Sequence, residues 1–161
     1  MGYIGSHLHQ IRQSGWGSKR IAFPGVNVII TNSKGDVLLG YREDLGGWMT
    51  FGGGVEIGAN VTQTVHREIE EELGKKIKSM VFVGLQTDPE KYKNDYAHGD
   101  KTQPFMALFE VILEGDPENV DEHSEIRFFP LNELPELKLI STRSSLDMYR
   151  VWKQTGHVQI D

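Results

Sequence analysis

The segment from Asn60 to Gly74 constrains this chain more than any other. At about 100° per residue, Val61, Val65, Ile69 and Leu73 fall on one stripe of a helix, and that stripe needs an apolar surface to cover it. Asn60 is placed to cap the start of the helix and Gly74 to end it. The same helix carries the run Arg67-Glu68-Ile69-Glu70-Glu71-Glu72. With Val61 at zero, Glu72 lies at roughly 20°, inside the stripe; Glu68 lies about 20° beyond its edge and Glu71 about 80° beyond. Glu70 points to the opposite side and is expected in solvent. A carboxylate at the edge of a core is costly unless it is paired or bound to a cation. Like charges four residues apart also repel. The three glutamates therefore ask for a compensating cation, either Arg67 or a hard divalent metal such as Mg²⁺ or Mn²⁺. Read alone, the run also fits an acidic surface helix with internal ion pairs.

Three glycines, Gly52 to Gly54, precede this helix by a short loop. Glycine permits close approach of backbone to a ligand or a side chain. The remaining pattern interleaves strands and helices. Residues 21–31 read as a strand, Asn32 to Gly35 as a turn and Val37–Tyr41 as the returning strand. A loop from Asp44 leads into a short strand ending at Phe51. Residues 77–87, 104–114 and Glu125–Phe129 read as strands, and Leu139–Trp152 as a closing helix. Residues 3–13 read as a short helix and Ser14–Lys19 as a loop. The polar stretch from Asp88 to Gln103 is long for a structureless connection. The expected class is α/β (α+β), with a mixed sheet between helices.

A length of 161 residues fits one domain, expected over 1–161, with 1–20 as a helical extension. The absence of cysteine excludes a disulfide framework, a zinc–thiolate site and a cysteine nucleophile. No secretion signal and no membrane span are read in the chain, so a cytoplasmic protein is expected. A net charge of −6 lacks the basic footprint of a nucleic-acid binder. An acidic chain that handles phosphates needs a cation to carry them.

The glycines and the glutamate helix together resemble the Nudix family (MutT-like hydrolases), whose signature is G-x5-E-x7-R-E-U-x-E-E-x-G-U with U aliphatic. Gly53 aligns with the first glycine, and Arg67, Glu68, Ile69, Glu71, Glu72 and Gly74 fall in register, so the box spans 53–75. The strand at 25–30, Trp48, the Arg127-Phe128-Phe129 run with Leu131, and Glu133-Leu134-Pro135 also look similar. The likeness covers roughly 20–137, and the segment with Arg12 is similar to that of some bacterial members. Two positions depart from the signature. Its upstream glutamate falls at Ala59 and its last aliphatic residue at Lys75. Glu56 is a nearby candidate to stand in for the first.

The resemblance implies a loop-helix-loop catalytic motif and metal-dependent cleavage of a nucleoside diphosphate linked to another group. Nucleotide sugars, ADP-ribose, dinucleoside polyphosphates and (d)NTPs are the candidate classes. It assigns Glu68, Glu71, Glu72 and Gly53 to the metal, with Mg²⁺ expected and Mn²⁺ as substitute. Glu68 is also the group that orients or deprotonates water. Arg67 is expected to fix a glutamate through a bidentate bond. Gly53 and Gly54 shape the loop. Glu125 is a candidate further ligand or base, with a salt-bridged strand residue as the alternative. Trp48 is a candidate base-stacking residue, weighed against core packing. Arg42 is a candidate phosphate contact, weighed against a solvated strand-end arginine. Tyr92, Tyr96 and His98 are read as loop residues without a role, and His66 and His123 as surface histidines. The substrate is a nucleotide-derived small molecule, and a homodimer is expected from the family. A nucleotide-binding sensor without catalysis is the competing reading, supported by Ala59. A prenyl diphosphate isomerase on the same scaffold is disfavoured by the lack of cysteine.

Overall fold

The computed structural model describes residues 11–16, 19–95, 101–118 and 123–161. Among the described residues, eight strands form one mixed sheet: β1 (Ile21–Thr31), β2 (Val37–Arg42), β3 (Gly47–Met49), β4 (Ile77–Gln86), β5 (Asn94–Asp95), β6 (Lys101–Leu113), β7 (Glu125–Phe129) and β8 (Gln159–Ile160). The order is β3-β2-β1-β6-β4-β8, with β5 beside β6 and β7 beside β2. β1 and β6 run parallel over a long register from Ile21↔Thr102 to Ile30↔Val111. The β1–β2 hairpin pairs only at Ile30↔Leu38 and Thr31↔Val37. Beyond that point β2 leaves β1 and pairs with β3, while β7 lies along its other edge from Val37 to Tyr41. The strand end at Phe51 and the loop at Gly54 then pair with β1 at Val28 and Gly25. Divergence of the hairpin thus admits the glycine loop to the centre of the sheet.

Alternation along the strands sends apolar side chains to both faces. Helix α1 (Val61–Leu73) covers one face, where Val65, Ile69 and Leu73 pack on Val26, Val28, Ile30, Phe51, Phe109 and Val111. Helix α3 (Ile140–Thr155) covers the other, with Leu146, Met148 and Tyr149 on Ile29, Leu39, Val83 and Leu108. Asn60 caps α1 through a reciprocal box with Gln63, and Gly74 ends it in the left-handed conformation, as its sequence implies. The apolar stripe is one turn shorter than expected: Val61, the first residue of the helix, is 37% exposed.

The connection after β4 differs from the sequence reading. It holds a one-turn helix, α2 (Pro89–Tyr92), and the short β5, and β6 begins at Lys101. Asp88 and Pro89 start α2: Asp88 accepts the Glu90 amide, and Pro89 has no amide that needs a partner. Helix α3 runs on to Thr155, where Gly156 stops it. An irregular helical turn occupies Arg12–Trp16, inside the stretch expected to be partly loop. The rest of the 3–13 helix expectation, Tyr96 and His98 lie outside the described residues. Among the described residues, no helix is long and apolar enough to cross a membrane.

Candidate active site

Helix α1 presents its polar edge to the loop at Gly52 and Gly53. Glu68 and Glu72 are 8% and 6% exposed, an unusual state for carboxylates. Glu72 Oε2 accepts a hydrogen bond from the Gly52 amide at 3.3 Å. Gly52 can offer that amide because its φ is 131°, and a Cβ there would collide with the Val26 carbonyl. Gly53 lies against the Glu68 carboxylate, and any side chain at that position would fall on it. The Gly53 carbonyl accepts the Val26 amide at 2.9 Å, which ties the loop to β1. The glycines thus serve two different needs: one donates to Glu72, the other leaves room for Glu68.

Arg67 holds the outer side of the group. Its Nη2 donates to Glu68 Oε1 at 2.5 Å and to the Gly54 carbonyl at 3.1 Å, and its Nη1 donates to Glu71 Oε2 at 2.7 Å. Arg67 therefore bridges two glutamates and the loop, and does not grip a single carboxylate in bidentate fashion. Burial opposes its charge, but Glu68, Glu71 and the more distant Glu56 outweigh that and hold its pKa above the usual arginine value. Glu56 is exposed, and its charge adds to those that raise the Arg67 pKa. The Glu71 side chain is 58% exposed, and Glu70 and His66 face solvent as expected.

These residues suit a hard divalent cation by donor chemistry: oxygen ligands, two of them buried, and one arginine as the neighbouring positive charge. Among the described residues, no group of three or more His, Cys, Asp or Glu side chains is already gathered around one point. Glu71 is drawn outward by Arg67 and Glu72 rests on Gly52.

The remaining candidates fall elsewhere. Glu125 is exposed on β7 and ion-paired with Arg127, which is the salt-bridged alternative. Arg42 has its guanidinium committed to Asp44, with Nε and Nη2 at 2.9 and 2.8 Å from the two carboxylate oxygens. Trp48 packs edge-on between Tyr41 and Phe129 at 5.4 and 4.9 Å and belongs to the core under α3. Its ring is therefore engaged in packing rather than presented for a base. Tyr92 is buried beneath α3 in a hydrogen-bond network, as befits a structural residue. His123 corrects the surface reading: it is 4% exposed and packs on Phe51 at 4.9 Å, over the bare backbone of Gly40. A glycine inside the apolar strand β2 is the signal that could have announced this close approach. Gly25, inside β1, carries the same signal.

Comparison with known proteins places the fold in a family. The family model described as the NUDIX domain matches residues 22–149. A low-salt glycan biosynthesis protein of Haloferax volcanii is 30% identical over 106 residues, which are 63% of this chain and 67% of that protein. The crystal structure of a MutT NUDIX hydrolase from Burkholderia pseudomallei matches with a TM-score of 0.64 and 28% identity, over 80% of this chain and 98% of that one. An ADP-ribose pyrophosphatase from Streptococcus suis shares the fold at a TM-score of 0.63 and 22% identity, over 86% of this chain and 96% of that one.

Proposed function

The chain belongs to the NUDIX domain family of pyrophosphohydrolases, and from that premise we propose that it uses a divalent metal to hydrolyse the pyrophosphate bond of a nucleoside diphosphate linked to another group. The observation that carries the metal dependence is the pair of buried carboxylates, Glu68 and Glu72, pressed on the Gly52–Gly53 loop with Arg67 beside them. Glu68, Glu71 and Glu72 would hold the cation, and the Gly53 carbonyl has a second lone pair that could join them. A bound Mg²⁺ or Mn²⁺ would make water more acidic and offset charge on the pyrophosphate oxygens. Glu68 orients that water and accepts its proton. The water oxygen bonds to one phosphorus, the bridging P–O bond breaks, and the other phosphate-bearing group leaves with the electron pair. Arg67 donates to Glu71, Glu68 and the Gly54 carbonyl and so would set the two glutamates against the loop beside the cation.

The ADP-ribose pyrophosphatase and a protein described as a UDP-X diphosphatase, which shares the fold at 18% identity and a TM-score of 0.63 over 96% of this chain and 74% of that one, make ADP-ribose and nucleotide sugars the first substrates to try. The test is phosphate or nucleotide release from a panel of nucleoside diphosphate derivatives, with and without Mg²⁺. Metal-dependent turnover of one class is expected. Nucleotide binding without turnover would instead establish the sensor reading and make Ala59 the residue to explain.

A further inference from the structure

Helix α3 packs Leu146 and Tyr149 on the sheet and turns a mixed face outward. On that outer face Ile140 and Val151 are 53% and 43% exposed. With Ile140 at zero around the helix, Val151 lies at about 20°, Ser144 at about 40°, Asp147 at about −20° and Arg143 at about −60°. The outer face thus carries an apolar residue near each end, with a cation and then an anion between them along one flank. Arg143 is exposed, and its guanidinium makes no hydrogen bond or ion pair among the described residues. Asp147 is exposed and pairs with Arg150 of its own helix at 2.6 Å. Beside this face Lys91 of α2, Gln159 of β8 and Ser144 and Met148 of α3 line a groove of about 450 Å³, with Ile140 and Val151 at its border.

We propose that the outer face of α3 is an interface between two copies of this chain, with the two α3 helices antiparallel across a twofold axis level with Ser145 and Leu146. Such an axis sets residue i on j and j on i, and it keeps like flank against like flank. Ile140 then stands level with the partner's Val151, and Arg143 stands within about 1.5 Å, along the helix, of the partner's Asp147. Each contact occurs twice. The order of charges along the flank is its own complement only in this arrangement; parallel helices would set Arg143 on Arg143 and Asp147 on Asp147. An exposed pair such as Arg150–Asp147 is weak, and a carboxylate has room for a second donor. The groove gives the partner's apolar residue space beside α3. A contact made mainly by one helix from each copy is smaller than the about 1,600 Å² of a standard interface, so the dimer forms in a concentration-dependent way. The interface does not depend on whether the chain hydrolyses a substrate.

Sedimentation equilibrium at about 100 µM should give twice the chain's mass for the wild type. Arg143→Asp and Asp147→Arg should each weaken association at least about tenfold, and the double substitution, which exchanges the two charges, should restore it. Both positions are exposed, and circular dichroism checks that the fold is kept. A second measurement uses the absence of cysteine in the chain. Ile140→Cys and Val151→Cys proteins, mixed and treated with a short bismaleimide, should link to each other far more than either links to itself. A wild type that stays monomeric at about 100 µM would overturn the interface. So would a dimer that neither single charge variant weakens, or one that the charge exchange fails to restore. Cross-linking of each cysteine variant with itself as readily as with the other would overturn the antiparallel pairing and the proposal with it.

Discussion

The two helices that sandwich the sheet both bury polar groups, and they do so in opposite ways. Under α3 the fully buried groups are neutral and closed on one another, with the Asp161–Lys91 ion pair at their margin. Asn27 donates to Gln86 and to Ser145, Gln86 donates to Ser145 and to Tyr92, and Ser145 donates to the Ser141 carbonyl. Tyr92 reaches Asp161, whose carboxylate is also held by the Thr87 amide and Lys91. Under α1 the groups are charged. Glu68 and Glu72 are buried, and Arg67 divides its attention between Glu68 and Glu71. A network whose donors and acceptors match holds a fold together. A carboxylate group with an excess of negative charge is costly to bury without a cation, which is the reason a metal is proposed there. The same sheet therefore has an architectural face and a chemical face, and the glycine loop lies where the chemical face meets solvent.

That contrast can be broken by removing each side in turn. The largest effect should follow from removing metal: a chelator abolishes turnover, added Mg²⁺ restores it, and the melting temperature moves little, because the core under α1 is apolar. Activity that survives chelation would end the distinction. Next, Glu72→Gln and Glu68→Gln should each lower kcat at least about a hundredfold, while circular dichroism shows an unchanged fold. Arg67→Ala should cost about ten- to a hundredfold, since it frees both glutamates from their set positions. Ser145→Ala probes the opposite face. It strips an acceptor from two buried amides and should cost about 1–3 kcal/mol in denaturant unfolding, with kcat within about twofold of wild type. Lost turnover without lost stability in that variant would contradict the assignment of the α3 face.

The smallest effect is a pH dependence. Burial disfavours the Asp161 charge, but the Thr87 amide, Lys91 and Tyr92 outweigh it and place its pKa below the usual 3.8. A carboxyl with a depressed folded pKa contributes stability above its unfolded pKa, and that contribution disappears as pH falls through the folded value. Unfolding free energy should thus decline below about pH 4, and Asp161→Asn should flatten part of that decline. An identical slope in wild type and variant would remove Asp161 from the architectural network.

Much of the α1 face was legible in the sequence, because helical periodicity is local. Spacing alone placed Glu72 in the apolar stripe, Glu68 at its edge and Glu70 in solvent, and the caps at Asn60 and Gly74 marked both ends. The part of the site that depends on tertiary contact was less visible. That Arg67 would bridge two glutamates, that Gly52 would donate to Glu72, and that His123 would be buried over Gly40 all follow from strand pairing at long sequence separation. The roles of Trp48 and Arg42 stay open between substrate contact and a structural part, because sequence does not show that Phe129 and Asp44 engage them. The polar stretch after β4 was read as loop since a one-turn helix and a two-residue strand are too short to leave a periodic signal. The α3 network was hidden for the same reason as His123: its members come from β1, β4, α2, α3 and the segment after α3.

The most direct measurement is Mn²⁺ binding followed by electron paramagnetic resonance in wild type, Glu72→Gln and Glu68→Gln. The account predicts saturable binding to the wild type and affinity at least about tenfold weaker in each variant. Equal affinity in all three proteins would show that the buried carboxylates of α1 do not hold the cation, and the proposed chemistry would lose its foundation.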